Sequence, residues 1–163
     1  MWPKGWSRCT GAALTLAAVS LVATACSAPI DVRPAAEAAS PGCAALAAAL
    51  PSTVAGLQRR ETTGQATAAW GSPAGVVLRC GVPAPGPTTE ECTTVNGVDW
   101  IVHETGDTMT LRTYGRTPAT EVVMKVDDSH AGAVPIGLGP AVERIPAVHH
   151  CVGPGDVPLS SPG

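Results

Sequence analysis

The chain has 163 residues, room for one ordinary domain, and it is 45% hydrophobic but only 3% aromatic with no Phe, so its core must be built from Val, Leu, Ile and Ala. Lys4 and Arg8 precede Cys26 and every acidic residue follows it, so the part beyond Cys26 carries 8 basic residues against 13 acidic, a net of −5. That sign excludes the basic footprint expected of a partner for nucleic acid or for an anionic membrane surface.

Residues 1–25 follow the order of a secretory signal. Lys4 and Arg8 form a positive start, Gly11 to Ala25 is uncharged and mostly apolar, and Ala23-Thr24-Ala25 places small residues before Cys26. The apolar stretch is shorter than the roughly 20 residues a spanning helix needs. Val22-Ala23-Thr24-Ala25-Cys26 resembles a lipobox, the site at which a lipoprotein signal peptidase cuts after the Cys thiol has been joined to diacylglycerol. Cys26 is therefore the expected lipidation site and new N-terminus. One acyl chain binds a bilayer only marginally, and stable anchoring takes two; a lipoprotein Cys carries at least two. Residues 26–39 then read as a lipidated Cys and flexible Ala/Pro-rich spacer, residues 40–151 as a single domain, and residues 152–163 as a disordered Gly/Pro/Ser tail.

The domain opens with a helix. Ser40 is placed to cap it, Pro41 suits its first position, and Cys43, Leu46, Ala47 and Leu50 fall at helical spacing before Pro51. Val54 to Thr62 reads as extended, and a Thr/Gly/Ala-rich connection follows. From Gly75 the period changes to two: Val76, Leu78 and Cys80 alternate with Val77 and Arg79 until Gly81-Val82-Pro83, and Pro83 to Pro87 is a Pro-rich loop. Asn96-Gly97 signals a turn before a strand from Val98 to Glu104, with Val98, Trp100 and Val102 on one face and Asp99, Ile101 and His103 on the other. Thr105-Gly106-Asp107 closes a hairpin to Thr108–Tyr114, and Glu121 to Val126 is a further strand. A short second helix is expected over Ile136 to Ile145. The fold class is α+β: a mainly antiparallel sheet of about four or five strands with one or two short helices on one face, stabilised by disulfides.

Cys43, Cys80, Cys92 and Cys151 remain once Cys9 and Cys26 are set aside, and four cysteines outside the cytosol imply two disulfides in one of three pairings. The favoured pairing joins Cys80 to Cys92 across the Pro-rich loop and Cys43 to Cys151 across the whole domain. No C-x-x-C is present, which argues against a zinc ribbon or a thioredoxin-type site.

The landmarks run in order: Cys43-x-x-Leu46, Leu50-Pro51, Arg59-Arg60, Ala69-Trp70-Gly71-Ser72-Pro73, Leu78-Arg79-Cys80-Gly81-Val82-Pro83 and Val95-Asn96-Gly97-Val98-Asp99-Trp100. This series resembles a family of actinobacterial envelope proteins, domain of unknown function 3515, over Cys43 to about Ile145. The resemblance implies an exported, single-domain, lipid-anchored protein and assigns no reaction.

Motifs for chemistry are sparse. No Gly-x-Ser-x-Gly elbow or phosphate-cradling Gly loop is present. Asp99 and His103 share a strand face but stand four residues apart, roughly 13 Å along a strand, beyond direct contact; a solvated sheet face is the plainer reading. His149-His150-Cys151 crowds three metal-ligating types together, yet a disulfide at Cys151 would remove its thiolate. Trp70 and Trp100, the only tryptophans beyond the signal, are the bulkiest apolar groups and read first as core. Arg79 is expected to pair with Asp99 across strands; alternatively Arg59, Arg60 and Arg79 converge on an anion. The expected function is therefore a non-catalytic accessory or interaction lipoprotein at the extracytoplasmic face of the cell membrane, with no catalytic residue, cofactor or metal. Its partners would be the membrane, through the anchor, and an envelope protein or cell-wall component. The alternative is a small-ligand or metal-binding protein, or a degenerate enzyme, with a pocket near Trp70, Arg79, Asp99 and Trp100.

Overall fold

The structure, a computed structural model, describes residues 28–126 and 131–152. The signal segment, Cys26 and the tail beyond Val152 lie outside them.

Ser40 starts α1 (Pro41–Ala49) as expected: its Oγ accepts the Cys43 N–H at 3.3 Å, and Pro41 occupies the first turn, where its missing N–H costs nothing. Leu50 turns extended (φ −63°, ψ 132°) because the residue before a proline is driven out of the helical region. The chain then builds eight strands, not four or five: β1 (Thr53–Val54), β2 (Leu57–Arg60), β3 (Thr67–Trp70), β4 (Val76–Val82), β5 (Cys92–Val95), β6 (Val98–Thr105), β7 (Thr108–Thr113) and β8 (Ala119–Lys125). They form one sheet in the order β1-β2-β3-β4-β8-β7-β6-β5, and every pairing is antiparallel. β3 carries no alternation because all four of its residues are buried, so both of its faces are covered. The segment expected as one strand from Val54 to Thr62 is a hairpin turning at Ala55-Gly56, both with positive φ.

The second helix, α2 (Ala133–Val142), begins three residues before the expected start. Gly137 and Gly139 look like interruptions in the sequence. In the fold they sit where the helix lies against the sheet, so that a Cβ on Gly137 would meet Val54 at 3.8 Å and one on Gly139 would meet Val98 at 4.0 Å. Val134, Leu138, Ala141 and Val142 of α2 join Cys43 and Leu46 of α1 over the inner sheet face, formed by Ala68, Trp70, Val76, Leu78, Val98, Trp100, Leu111, Val122 and Met124. Each fully buried Leu or Val there contributes about 1.5–3 kcal/mol, and the two tryptophans supply the bulk that an Ala-rich chain otherwise lacks.

Both disulfides differ from the expected pairing. Cys43 on α1 joins Cys80 on the inner face of β4, with Cα atoms 5.5 Å apart, and Cys92 joins Cys151 at 6.0 Å, separations ordinary for such bridges. Cys80 cannot reach Cys92. β5 lies four places from β4 in the sheet, roughly 19 Å at about 4.8 Å per strand, and Cys92 pairs with Ile101 on the outer face.

Two straps close the domain, and the first corrects the spacer. Among the described residues of 26–39, Ile30 bridges Thr62, Val32 and Ala38 are buried, and the Glu37 N–H donates to the Gly81 carbonyl at 3.0 Å. Gly81 marks a register shift in β4 with φ +101°, and a Cβ there would run into the backbone of Glu37 and Ala38. At the other end, Arg116 bridges Ala147 and donates to the Ile145 carbonyl, and Val148 N–H donates to Gly115 at 2.7 Å. Gly115 has φ +71°, and any side chain there would strike the His149 carbonyl.

Candidate functional site

The helices cover one face of the sheet, and the other carries a row of charged residues among apolar ones. Register places Arg79 of β4 opposite Glu121 of β8, Glu121 opposite Arg112 of β7, and Arg112 opposite Ile101 of β6, so these four form a row across the outer face. Glu121 sits between the two guanidiniums: Arg79 Nη2 donates to its Oε1, and Arg112 Nη2 donates to its Oε2 at 2.8 Å. Its side chain is 8% exposed, against 35% and 40% for the two arginines. Burial acts to raise the Glu121 carboxyl, but the hydrogen bonds and charges of Arg79 and Arg112 outweigh it and hold the group below the usual carboxylate value. Arg79 therefore pairs with Glu121 and not with Asp99.

Between this row and the Pro-rich loop that joins β4 to β5 lies a groove of about 340 Å³. Pro85 and Glu90 of the loop line one side; Ile101, His103, Thr110, Arg112 and Glu121 line the sheet side. Arg112 Nε is buried without an acceptor among the described residues.

Asp99 is a separate centre. It is 4% exposed and accepts from Thr94 Oγ1 at 2.5 Å and from the Cys151 N–H at 3.0 Å, with His150 Nδ1 at 3.1 Å. Burial pushes its carboxyl up, and these three partners more than reverse the shift, so it lies below its ordinary value. Nearby Arg116 is buried too; desolvation lowers its pKa, against the opposing charges of Glu143 and Asp99.

The residues named from the sequence do not make one pocket. Trp70 and Trp100 are fully buried on the inner face, with Trp70 Nε1 donating to the Pro51 carbonyl at 3.2 Å. Arg79 and Asp99 are on the outer face three strands apart, roughly 14 Å. Arg59 opposes Trp70 and donates to Leu50, whereas Arg60 opposes Ala69 and donates to Gly71 and Ala28, so the two point to opposite sides and do not converge with Arg79. His149-His150-Cys151 serves as a strap, with Cys151 taken up by its disulfide. Among the described residues no cluster of three His, Cys, Asp or Glu groups is arranged for a metal, and no helix is long and apolar enough to cross a membrane.

A family model for a protein of unknown function, DUF3515, matches residues 9–149. The chain belongs to this family. No curated protein and no solved structure matches it. In this DUF3515 chain the sequence landmarks are largely structural. Cys43 and Cys80 bridge helix to sheet, Trp70 and Trp100 fill the core, Gly81 admits the strap, and Asn96-Gly97 turns β5 into β6. Arg112 and Glu121, central to the groove, were not singled out from the sequence. Each is flanked by core-facing neighbours, Leu111 and Thr113 or Thr120 and Val122, which marks it as facing outward; only the strand register brings the two together.

Proposed function

We propose that this DUF3515 chain is an exported lipoprotein, cut before Cys26 and held by lipid on that residue at the extracytoplasmic face of an actinobacterial cell membrane. There it acts as a non-catalytic accessory or interaction protein toward an envelope protein or cell-wall component. The pair of disulfides carries this reading, because such bridges persist in oxidising compartments and are rare in the cytosol. The order of charge, apolar stretch and lipobox-like segment ahead of Cys26 supports it from the sequence. The polar groups best suited to acid–base work are already engaged: Asp99 holds the C-terminal strap, and Glu121 is clamped by two arginines.

The test is fractionation of cells producing the wild type or Cys26→Ala, with intact mass of the recovered protein. Wild type should be found in membranes at the mass of a chain beginning at Cys26 plus acyl groups, less four hydrogens for the bridges. Cys26→Ala should leave the membrane fraction. Retention of the variant, or an unlipidated wild type, would sink the anchor.

A further inference from the structure

We propose that the groove under the Pro-rich loop binds a small zwitterion of amino-acid or dipeptide size, its carboxylate on Arg112 and its ammonium on Glu90. This goes beyond the envelope role above, and lipidation at Cys26 plays no part in it.

The charge balance sets the carboxylate end. Glu121 is one carboxylate shared by two guanidiniums, so the row Arg79–Glu121–Arg112 keeps one positive charge unmatched among the described residues. Arg112 commits Nη2 to Glu121 and stays 40% exposed at the groove wall. Glu121 thereby fixes the plane of the guanidinium, and a fork held in place loses little freedom on receiving a second carboxylate. Thr110 and His103, an opposed pair on β7 and β6, stand along the same wall as further hydrogen-bonding groups.

The other end is set by the loop. Glu90 is exposed and is steadied by Thr88, whose Oγ1 accepts the Glu90 N–H at 3.0 Å and donates to its carboxylate at 3.2 Å. It lines the groove from the loop while Arg112 lines it from the sheet. Because the second carboxylate of the lining, Glu121, is already shared by Arg79 and Arg112, Glu90 is the anionic pole left open and Arg112 the cationic one. Pro85 and the nearly buried Ile101 supply apolar surface between them. At about 340 Å³ the space is at the small end of ligand sites, which run about 300–1,000 Å³. A short zwitterion with a small apolar side chain matches both the poles and the size.

The probe is L-alanyl-L-alanine, titrated into the isotopically labelled full chain as its host produces it and followed by amide chemical shifts. Saturable shifts around Arg112, Ile101 and Glu90 are expected, with affinity falling about tenfold on amidating the dipeptide's C-terminus and again on acetylating its N-terminus, as for loss of a charge-assisted hydrogen bond. R112Q should abolish discrimination between free and amidated dipeptide, and E90Q discrimination between free and acetylated. Glu90 is exposed, so E90Q decides the matter even if R112Q fails to fold. Absence of saturable shifts up to the solubility limit, shifts placed elsewhere, or binding indifferent to both caps would overturn the site.

Discussion

The backbone N–H of Cys151 donates to Oδ2 of Asp99 at 3.0 Å, so a carboxylate set in the sheet holds the end of the domain. Thr94 and His150 complete its coordination, and the Cys92–Cys151 bridge lies beside it. A covalent tie and a buried charge thus secure the same strap.

Replacing Asp99 by Asn removes the charge and leaves one oxygen for three partners. A buried group left short of its hydrogen bonds costs about 1–3 kcal/mol, and urea denaturation of D99N at neutral pH should show a loss in that range. The folded-state pKa of Asp99 is depressed, so its stabilisation is complete above the ordinary carboxylate value of 3.8 and is lost as pH falls below that through the folded value. The gap between wild type and D99N should narrow as the solution is made more acid than about pH 5. A gap that stays constant down to acid unfolding would show that the charge contributes nothing.

Glu121 gives a different signature. E121Q leaves two guanidiniums side by side over the outer face. For a fully buried pair, removing one partner costs about 3–5 kcal/mol; both arginines here are more than a third exposed, so water and salt screen them and about 1–2 kcal/mol is expected. R79Q added to E121Q should restore part of that loss by removing the repulsion. Additive losses in the double-mutant cycle would contradict the clamp.

Much of the covered layer was legible in the sequence, because burial on one face writes a period. The α1 cap, the alternation at the start of β4 and the Asn96-Gly97 turn all follow from local rules, whereas β6 alternates in residue type although Val98 to Ile101 are buried on both faces. β3 was silent because both of its faces are covered, and the Thr-rich edge strand β5 because it is short and buries none of its residues fully. The disulfide pairing and the Arg79–Glu121–Arg112 row depend on strand order: β8 inserts beside β4 although about forty residues separate them, and no local pattern reports such a crossover.

The two bridges should separate under mild reduction. Cys43 and Cys80 are fully buried in the core, whereas Cys92 and Cys151 are partly exposed. Thiol–disulfide exchange needs access of the attacking thiolate, so limiting dithiothreitol followed by alkylation and peptide mass mapping should label Cys92 and Cys151 first. Loop closure assigns each bridge about 4 kcal/mol. The double alanine variant of Cys43 and Cys80 should nevertheless cost more than that of Cys92 and Cys151, because it also opens space in a packed core. Equal labelling of all four cysteines would mean that the inner bridge is less protected than its burial implies.

The N-terminal strap offers the sharpest test of where the domain begins. Gly81 holds φ +101°, and a Cβ added there meets the backbone of Glu37 and Ala38, which cannot yield as a flexible side chain would. A strained φ costs about 1–3 kcal/mol and overpacking a similar amount, so G81A should lose about 2–4 kcal/mol and lift the strap from β4. Gly86 is the matched control, since nothing lies within 4 Å of an added Cβ there. Glu37 is exposed but tied through its N–H to Gly81, so a glutamate-specific protease should cut after it slowly in wild type and G86A and quickly in G81A. If G81A melts like G86A and all three proteins are cut equally quickly after Glu37, residues 28–39 are a tether after all, and the folded unit starts at Ser40.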